Sequence, residues 1–252
     1  MNTILKAENV GKSFAGENGE SRVLQNISFT VEKGEFVSIM GPSGSGKSTL
    51  LYCVSGMDTV SEGRVEFCGQ DLSRCGDEIR SDLRRTRMGF VFQQPSLLKN
   101  LNVLDNIMLI ALRENKKDAA AIQSRAMALM EKAGIAALAD RGIDSLSGGQ
   151  LQRAGVCRAL MCAPEILFGD EPTGALNSSA AQEVMEMFRR VNAAGTAILL
   201  VTHDAKIAAQ SERVILMRDG GIADDISLGR YQGGALEERT ARVDRATRAI
   251  GI

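Results

Sequence analysis

The chain has no tryptophan, two tyrosines and a single histidine. Proteins that grip single-stranded nucleic acid stack bases on aromatic side chains, so that class is disfavoured and no nucleic-acid partner is expected. Formal net charge is −1, from 30 basic and 31 acidic residues, and no global field draws the chain to nucleic acid or an anionic membrane surface. One local basic patch stands out, Arg80, Arg84, Arg85 and Arg87, and reads as a solvated helix face. No run of 18 or more apolar residues occurs, so no spanning helix is expected. Met1 to Lys6 lack the basic-then-apolar order of a signal peptide. Cysteines number five, at 53, 68, 75, 157 and 162. The count is odd and the spacing fits no zinc or redox template, which leaves reduced, mostly buried thiols of a cytosolic protein.

What is present is enough for one large α/β domain with room for an insert, at 252 residues, 44% hydrophobic and 24% charged. Short β-like runs, Ile4–Val10, Val23–Val31 and Phe36–Met40, alternate with turns at Gly16–Gly19 and Glu32–Gly34. A helix over Ser48–Ser55, a strand over Arg64–Phe67, a charged helix over Asp77–Arg87 and a strand over Met88–Phe92 follow. From about 95 to 160 the pattern turns helical. Apolar residues at Ile122, Ala126, Leu129, Met130 and Ala133 give Asp118–Ala133 one greasy face, and Gly148–Met161 continues the helical stretch. Strands at Glu165–Gly169, Thr196–Thr202 and Arg213–Met217, with a helix over Ser178–Ala193, restore the alternation that implies a parallel sheet. The expected division is 1–229 as the main domain with the helical piece inserted, and 230–252 as a helical tail. In that tail Leu236, Val243 and Ile250 recur every seven residues, too few for a coiled coil, and a surface helix or frayed end is expected.

Gly41-Pro42-Ser43-Gly44-Ser45-Gly46-Lys47-Ser48 follows a strand and opens a helix that continues with Thr49. This is the pattern of a phosphate-cradling loop. Glycines let backbone N–H groups turn inward, Lys47 reaches the β/γ-phosphates, Ser48 can ligate Mg²⁺, and the helix start adds partial positive charge. Cys53 lies one turn beyond, where a thiol reagent is expected to block nucleotide binding. Ile166–Gly169 is an apolar strand ending in Asp170 and Glu171. Phosphoryl transfer needs a carboxylate near the metal and a group to orient the attacking water; Asp170 suits the first and Glu171, as general base, the second. His203 stands after another buried strand, at the carboxyl end where ligand crevices form, and suits a γ-phosphate sensor. Gln93, again at a strand end, offers a carbamoyl oxygen to the metal or the water. Leu146-Ser147-Gly148-Gly149-Gln150 opens a helix with a hydroxyl and bare glycine amides, a second anion-binding end.

These residues together resemble the nucleotide-binding subunit of ABC transporters, over Ile4 to Ala223. The resemblance implies an α/β P-loop NTPase with a mostly parallel core sheet, an N-terminal antiparallel β portion and an inserted α-helical subdomain. It implies an ATPase using ATP and Mg²⁺. It also implies head-to-tail pairing with a second copy, each ATP lying between the phosphate loop of one and the LSGGQ string of the other. Phe14 would stack on adenine, Gln93 would be the Q-loop glutamine, Glu171 the catalytic base and His203 the switch histidine. Gly89-Phe90-Val91-Phe92-Gln93, Leu97-Leu98, Leu101-Asn102-Val103 and Asp170–Leu176 look like the MacB/LolD/FtsE group, and within it the bacitracin and antimicrobial-peptide resistance (Bce-type) ATPases. A separate transmembrane permease and a place on the cytoplasmic face of the membrane follow from that likeness. So does a rival, an FtsE-like ATP switch that signals through a membrane partner and transports nothing. A soluble ATPase of ribosomes or DNA repair would carry two such domains or long coiled-coil inserts, and neither is present. Where the family has aspartate after Ala-Leu, this chain has Asn177. The change keeps hydrogen-bonding capacity and drops a charge, so altered coupling between the two sites is expected.

Overall fold

The computed structural model describes residues 3–16, 19–114 and 118–251. The tip of the turn expected at Gly16–Gly19 lies outside them. Two long strands, β1 (Thr3–Gly16) and β2 (Gly19–Glu32), pair antiparallel. Each is longer than the apolar run that announces it, because strand pairing carries polar residues along. With β4 (Glu62–Phe67) and β5 (Gln70–Asp71) they form a four-stranded sheet in the order β2-β1-β4-β5.

The second sheet has six strands. Its centre is β3 (Phe36–Met40), flanked in parallel by β8 (Ala197–Val201) and β9 (Arg213–Arg218). Next to β8 come β7 (Ile166–Asp170) and β6 (Met88–Phe92), also parallel. On the far edge β10 (Gly221–Ser227) runs antiparallel to β9. All five residues of β3 and of β8 are buried. Strands covered on both faces must be apolar throughout, which is why Ala197-Ile198-Leu199-Leu200-Val201 shows no alternation.

Helix α1 (Lys47–Val54) lies between the two sheets, with Leu50, Leu51, Cys53 and Val54 buried in the cluster that both sheets share. Against the opposite face of the parallel sheet pack α5 (Gly148–Leu160) and α6 (Ser178–Ala193), through Val156, Val184, Met185 and Phe188. Helices α3 (Val103–Glu114) and α4 (Ala119–Lys132) join α5 around a separate apolar cluster that includes Ile107, Ala126, Met130 and Cys157. Ala126 and Met130 are the buried members of the stripe read from sequence. No helix among the described residues is long and apolar enough to cross a membrane.

Two expectations change and a third narrows to one of its alternatives. The arginines near α2 (Asp77–Thr86) are not a free basic patch. Arg80 pairs with Asp77, Arg85 with Asp82, Arg84 donates to the Gly56 carbonyl, and Arg87 donates to Glu165 Oε1 across 2.6 Å. Cys53 is buried, and burial pushes its thiol up to about 12, so the nucleophilic thiolate is scarce and reagents have no access. Of the two readings of the tail, the surface helix forms and the end does not fray: Val243 is its one buried residue. Helix α7 (Leu236–Ala249) and the residue that caps its end turn Leu236, Val243 and Ile250 toward a cluster of Met40, Ala208, Ala209, Val214, Leu216 and Ile226. The seven-residue spacing marks a docking stripe, and Arg239 fastens it by donating to the carbonyls of Ala209, Ser211, Leu228 and Gly229.

Val243 is fully buried while Arg245 on the same helix is exposed. Val243→Ala is therefore expected to lower the unfolding free energy in urea by about 1–3 kcal/mol. Arg245→Ala should change it by about 0.5 kcal/mol or less.

Candidate nucleotide site

The phosphate loop sits where β3 meets α1. Gly44 and Gly46 have φ of +81° and +92°, conformations that cost other residues steric strain. Gly46 also has no space for a side chain: a Cβ there would lie 2.7 Å from Leu24 Cδ2 and 3.1 Å from the Val23 carbonyl oxygen. A Cβ on Gly41 would meet the Met217 carbonyl oxygen at 2.3 Å. The loop is thus wedged between β2 and β9, and its shape is imposed by both sheets. A cleft of about 490 Å³ opens over it, lined by Val23, Ser43, Gly44, Gly46, Lys47, Ser48, Thr49, Glu171 and His203.

Lys47 begins α1 and bends back. Its Nζ donates to the Gly41 carbonyl at 2.9 Å and to the Pro42 carbonyl at 2.8 Å. Burial draws its pKa down, and the charges of Glu171 and Asp170 push back up. At the end of β7, Asp170 accepts the Ser48 hydroxyl on Oδ1 at 2.8 Å and the Tyr52 hydroxyl on Oδ2 at 2.8 Å. Glu171 is held in the left-handed region, φ +47°, with its N–H on the Val201 carbonyl at 3.0 Å. A non-glycine residue in that region carries a conformational cost, and Asn9, Asn26, Cys68, Ala163, Asp219 and Ala235 share it, so the conformation alone assigns Glu171 no role. Its Oε2 lies 3.0 Å from His203 Nδ1.

Gln93 follows β6 and reaches the same corner. The point that a Cβ on Gly174 would occupy is 3.1 Å from Gln93 Nε2 and 3.3 Å from Glu171 Oε2, so glycine at 174 leaves the two side chains room to converge. The structure therefore brings together Lys47, Ser48, Asp170, Glu171 and His203, with Gln93 beside Glu171. Phe14 is on β1, partly exposed, with the Lys12 ammonium 4.9 Å from its ring centre, and it does not line the cleft.

Ser147, Gly148, Gly149 and Gln150 stand elsewhere. Ser147 caps α5, its hydroxyl accepting from the Gln150 N–H at 3.4 Å while the Gln150 amide oxygen accepts from the Ser147 N–H at 2.9 Å. This capping box faces the start of α6, where a Cβ on Gly149 would come within 2.8 Å of Ala180 Cβ. Sequence reasoning missed Val23 and Tyr52. Tyr52 carried a readable signal, being four residues past Ser48 on the same helix and so on the same face.

Gly46→Ala is expected to weaken binding of a fluorescent ATP analogue at least tenfold in an equilibrium titration, because strain and collision act together. Gly44→Ala meets nothing within 4 Å, so only the conformational penalty remains, about 1–2 kcal/mol, and the loss should be the smaller of the two.

Residues 24–174 match the family model described as ABC transporter. The macrolide export ATP-binding/permease protein MacB of Neisseria meningitidis serogroup B is 40% identical over 227 residues, covering 89% of this chain and 35% of that protein. The MacB of Campylobacter jejuni is 42% identical over 217 residues, 85% of this chain and 33% of that protein. The chain thus spans about a third of the length of the curated relatives it matches. A dimeric ATP-binding cassette in a post-hydrolysis state with ADP and Pi is 34% identical, with a TM-score of 0.84, covering 89% of this chain and 99% of that one. A nucleotide-free cassette from an ABC transporter is 28% identical at a TM-score of 0.80, each covered to 99%. With strand, phosphate loop, paired acids and histidine assembled in one cleft, the chain belongs to the ABC transporter family and is an ATP-binding, ATP-hydrolysing cassette of it.

Proposed function

We propose that two copies of this chain close around two ATP molecules, and that closure and hydrolysis drive a membrane permease from its cytoplasmic face. The observation that carries this is a separation within one copy. The capped, exposed start of α5 lies outside the cleft lined by Lys47, Ser48, Glu171 and His203. Its amides form an anion-binding end, and the anion to meet them would be the γ-phosphate in a second copy's cleft. The dimeric cassette among the structural relatives supports the pairing, and relatives named as ATP-binding/permease proteins support the membrane partner. The helical insert, residues 95–160, would carry the motion to that partner. We assign the cargo to antimicrobial-peptide export or resistance, a reading that rests on the Gly89–Gln93 and Asp170–Leu176 strings and accords with export relatives.

Within each site the roles divide by geometry. Lys47 and the loop amides offset phosphate charge. Glu171, tied to His203, takes the proton of the water that attacks the γ-phosphorus as the bond to the ADP oxygen breaks. His203 holds the transferred group, and the partner's start of α5 closes the far side; Phe14, exposed on β1 outside the phosphate cleft, would stack on an adenine that projects beyond it. Ser48 Oγ and Asp170 Oδ1, hard oxygens 2.8 Å apart, fit Mg²⁺ with Gln93 as a further oxygen donor, and the ion would supply charge neutralisation for the phosphates. Electrostatic positioning is the main source of acceleration.

Glu171→Gln removes the proton acceptor and leaves the fold intact. In size-exclusion chromatography with light scattering, this variant should be a dimer with saturating Mg·ATP and a monomer without it, with turnover at least a hundredfold down. A variant that hydrolyses ATP rapidly, or stays monomeric even with its permease present, refutes the assignment.

Asn177 Oδ1 accepts from the Ala180 N–H at 2.9 Å and caps α6. A carboxylate can do the same and adds favourable charge at the helix start, so Asn177→Asp should raise stability by about 0.3–1 kcal/mol. It should also change the Hill coefficient for ATP. A stability gain with unchanged cooperativity would confine the residue to capping.

A further inference from the structure

Tyr52 is a hydrogen-bond donor that neither the loop motif nor the acidic motif includes. Ser48 and Tyr52 stand one turn apart on α1, and both hydroxyls point at one carboxylate, one on each oxygen of Asp170. A carboxylate held on a single oxygen can still rotate about its last bond; held on both from one rigid helix, it cannot. Helix α1 is itself clamped, with Leu50, Leu51, Cys53 and Val54 buried between the sheets, and the Tyr52 ring packs against the same core.

We propose that Tyr52 is a positioning residue for the metal site: it pins Asp170 Oδ2 and thereby keeps Oδ1 turned toward Ser48. This deepens the reading above and rests on Asp170 holding the divalent cation. Ser48 has two duties, as donor to Asp170 and as oxygen ligand, and its hydroxyl proton reorients as the second is taken up. Tyr52 has one duty. It therefore preserves the orientation of the carboxylate through the moment when the Ser48 bond changes, so less ordering remains to be done on metal binding.

The variant is Tyr52→Phe, which keeps the ring and its packing and removes only the donor. Three measurements separate the possibilities: binding of Mn²⁺ to the nucleotide-loaded protein by electron paramagnetic resonance, the Mg²⁺ concentration giving half-maximal hydrolysis, and metal-free affinity for a fluorescent ATP analogue. Tyr52→Phe should weaken Mn²⁺ binding and raise the Mg²⁺ midpoint five- to tenfold, with metal-free nucleotide affinity changed less than twofold. Tyr231→Phe, altering the other tyrosine, whose ring lies between Arg189 and Arg239, should leave both metal readouts unmoved. A Tyr52→Phe protein with wild-type metal binding overturns the proposal. So does equal weakening of metal-free nucleotide binding, which would make Tyr52 a support of the loop. Asp170→Asn tells the two levels apart: if it leaves Mn²⁺ binding intact, the metal-site reading itself fails. If it abolishes binding while Tyr52→Phe does nothing, only the role of Tyr52 fails. Thermal unfolding of each variant checks that the fold survives.

Discussion

The site depends on an ammonium group kept where water is scarce. Lys47 is largely buried, and an unpaired charge there would be costly. Two backbone carbonyls of its own loop, at Gly41 and Pro42, solvate it, and two carboxylates at the end of β7 oppose the effect of burial. The arrangement works only if the loop curls tightly enough to aim those carbonyls inward. That curl needs glycine at 41 and 46, and the neighbours that forbid any side chain there are Met217 on β9 and Leu24 on β2. The cation is therefore held in place by both sheets at once. Substrate phosphates would enter a pre-oriented field, which is what gives electrostatic catalysis its strength.

The same logic explains why α1 carries so much of the chemistry. One face is core, one end is the phosphate loop, and the remaining face presents Ser48 and Tyr52 to Asp170. Core packing thus fixes the geometry of polar groups that could not hold themselves. Burial of large aliphatic side chains contributes about 1.5–3 kcal/mol each, against about 0.5–1.5 kcal/mol for an ordinary hydrogen bond. The apolar face decides where the helix lies, and the hydrogen bonds decide only how the carboxylate turns.

How much was legible follows from whether a feature is local. The strand–loop–helix of Phe36 to Val54, the acids closing β7 and the histidine after β8 were readable, because glycine loops and unbroken apolar runs carry their own constraint. The helical insert was readable from the Ile122 to Ala133 stripe. What escaped depends on partners distant in sequence. Gln93 and Glu171 both flank the space that glycine at 174 leaves open, and Val23 lines the cleft because β2 runs beside the loop. The arginines of α2 looked like a basic face until Gly56 and Glu165 came into reach. Strand β10 is polar at its edge, since only β9 pairs with it, and gave no apolar signal. The tail was legible as a surface helix but its anchoring was not: one residue in seven suffices when each lands on the same apolar cluster.

In the proposed pair, the division of each site between two copies is itself a control device. A cleft that holds Lys47, Ser48, Glu171 and His203 can bind nucleotide, but the start of α5 in the same copy faces Leu176 and Ala180 and not that cleft. Nucleotide bound by one copy then stabilises only those arrangements in which a second copy supplies its α5 end, and by linkage pairing raises affinity for nucleotide by the same factor. Because two such contacts form together, the closed state is favoured by the product of both, and it loses both reasons to persist once the γ-phosphate leaves. As the base of that proposal, Glu171 is tied at its N–H to the Val201 carbonyl and at Oε2 to His203; it would have few conformations to lose on closure, and hydrolysis would then wait on the arrival of the partner.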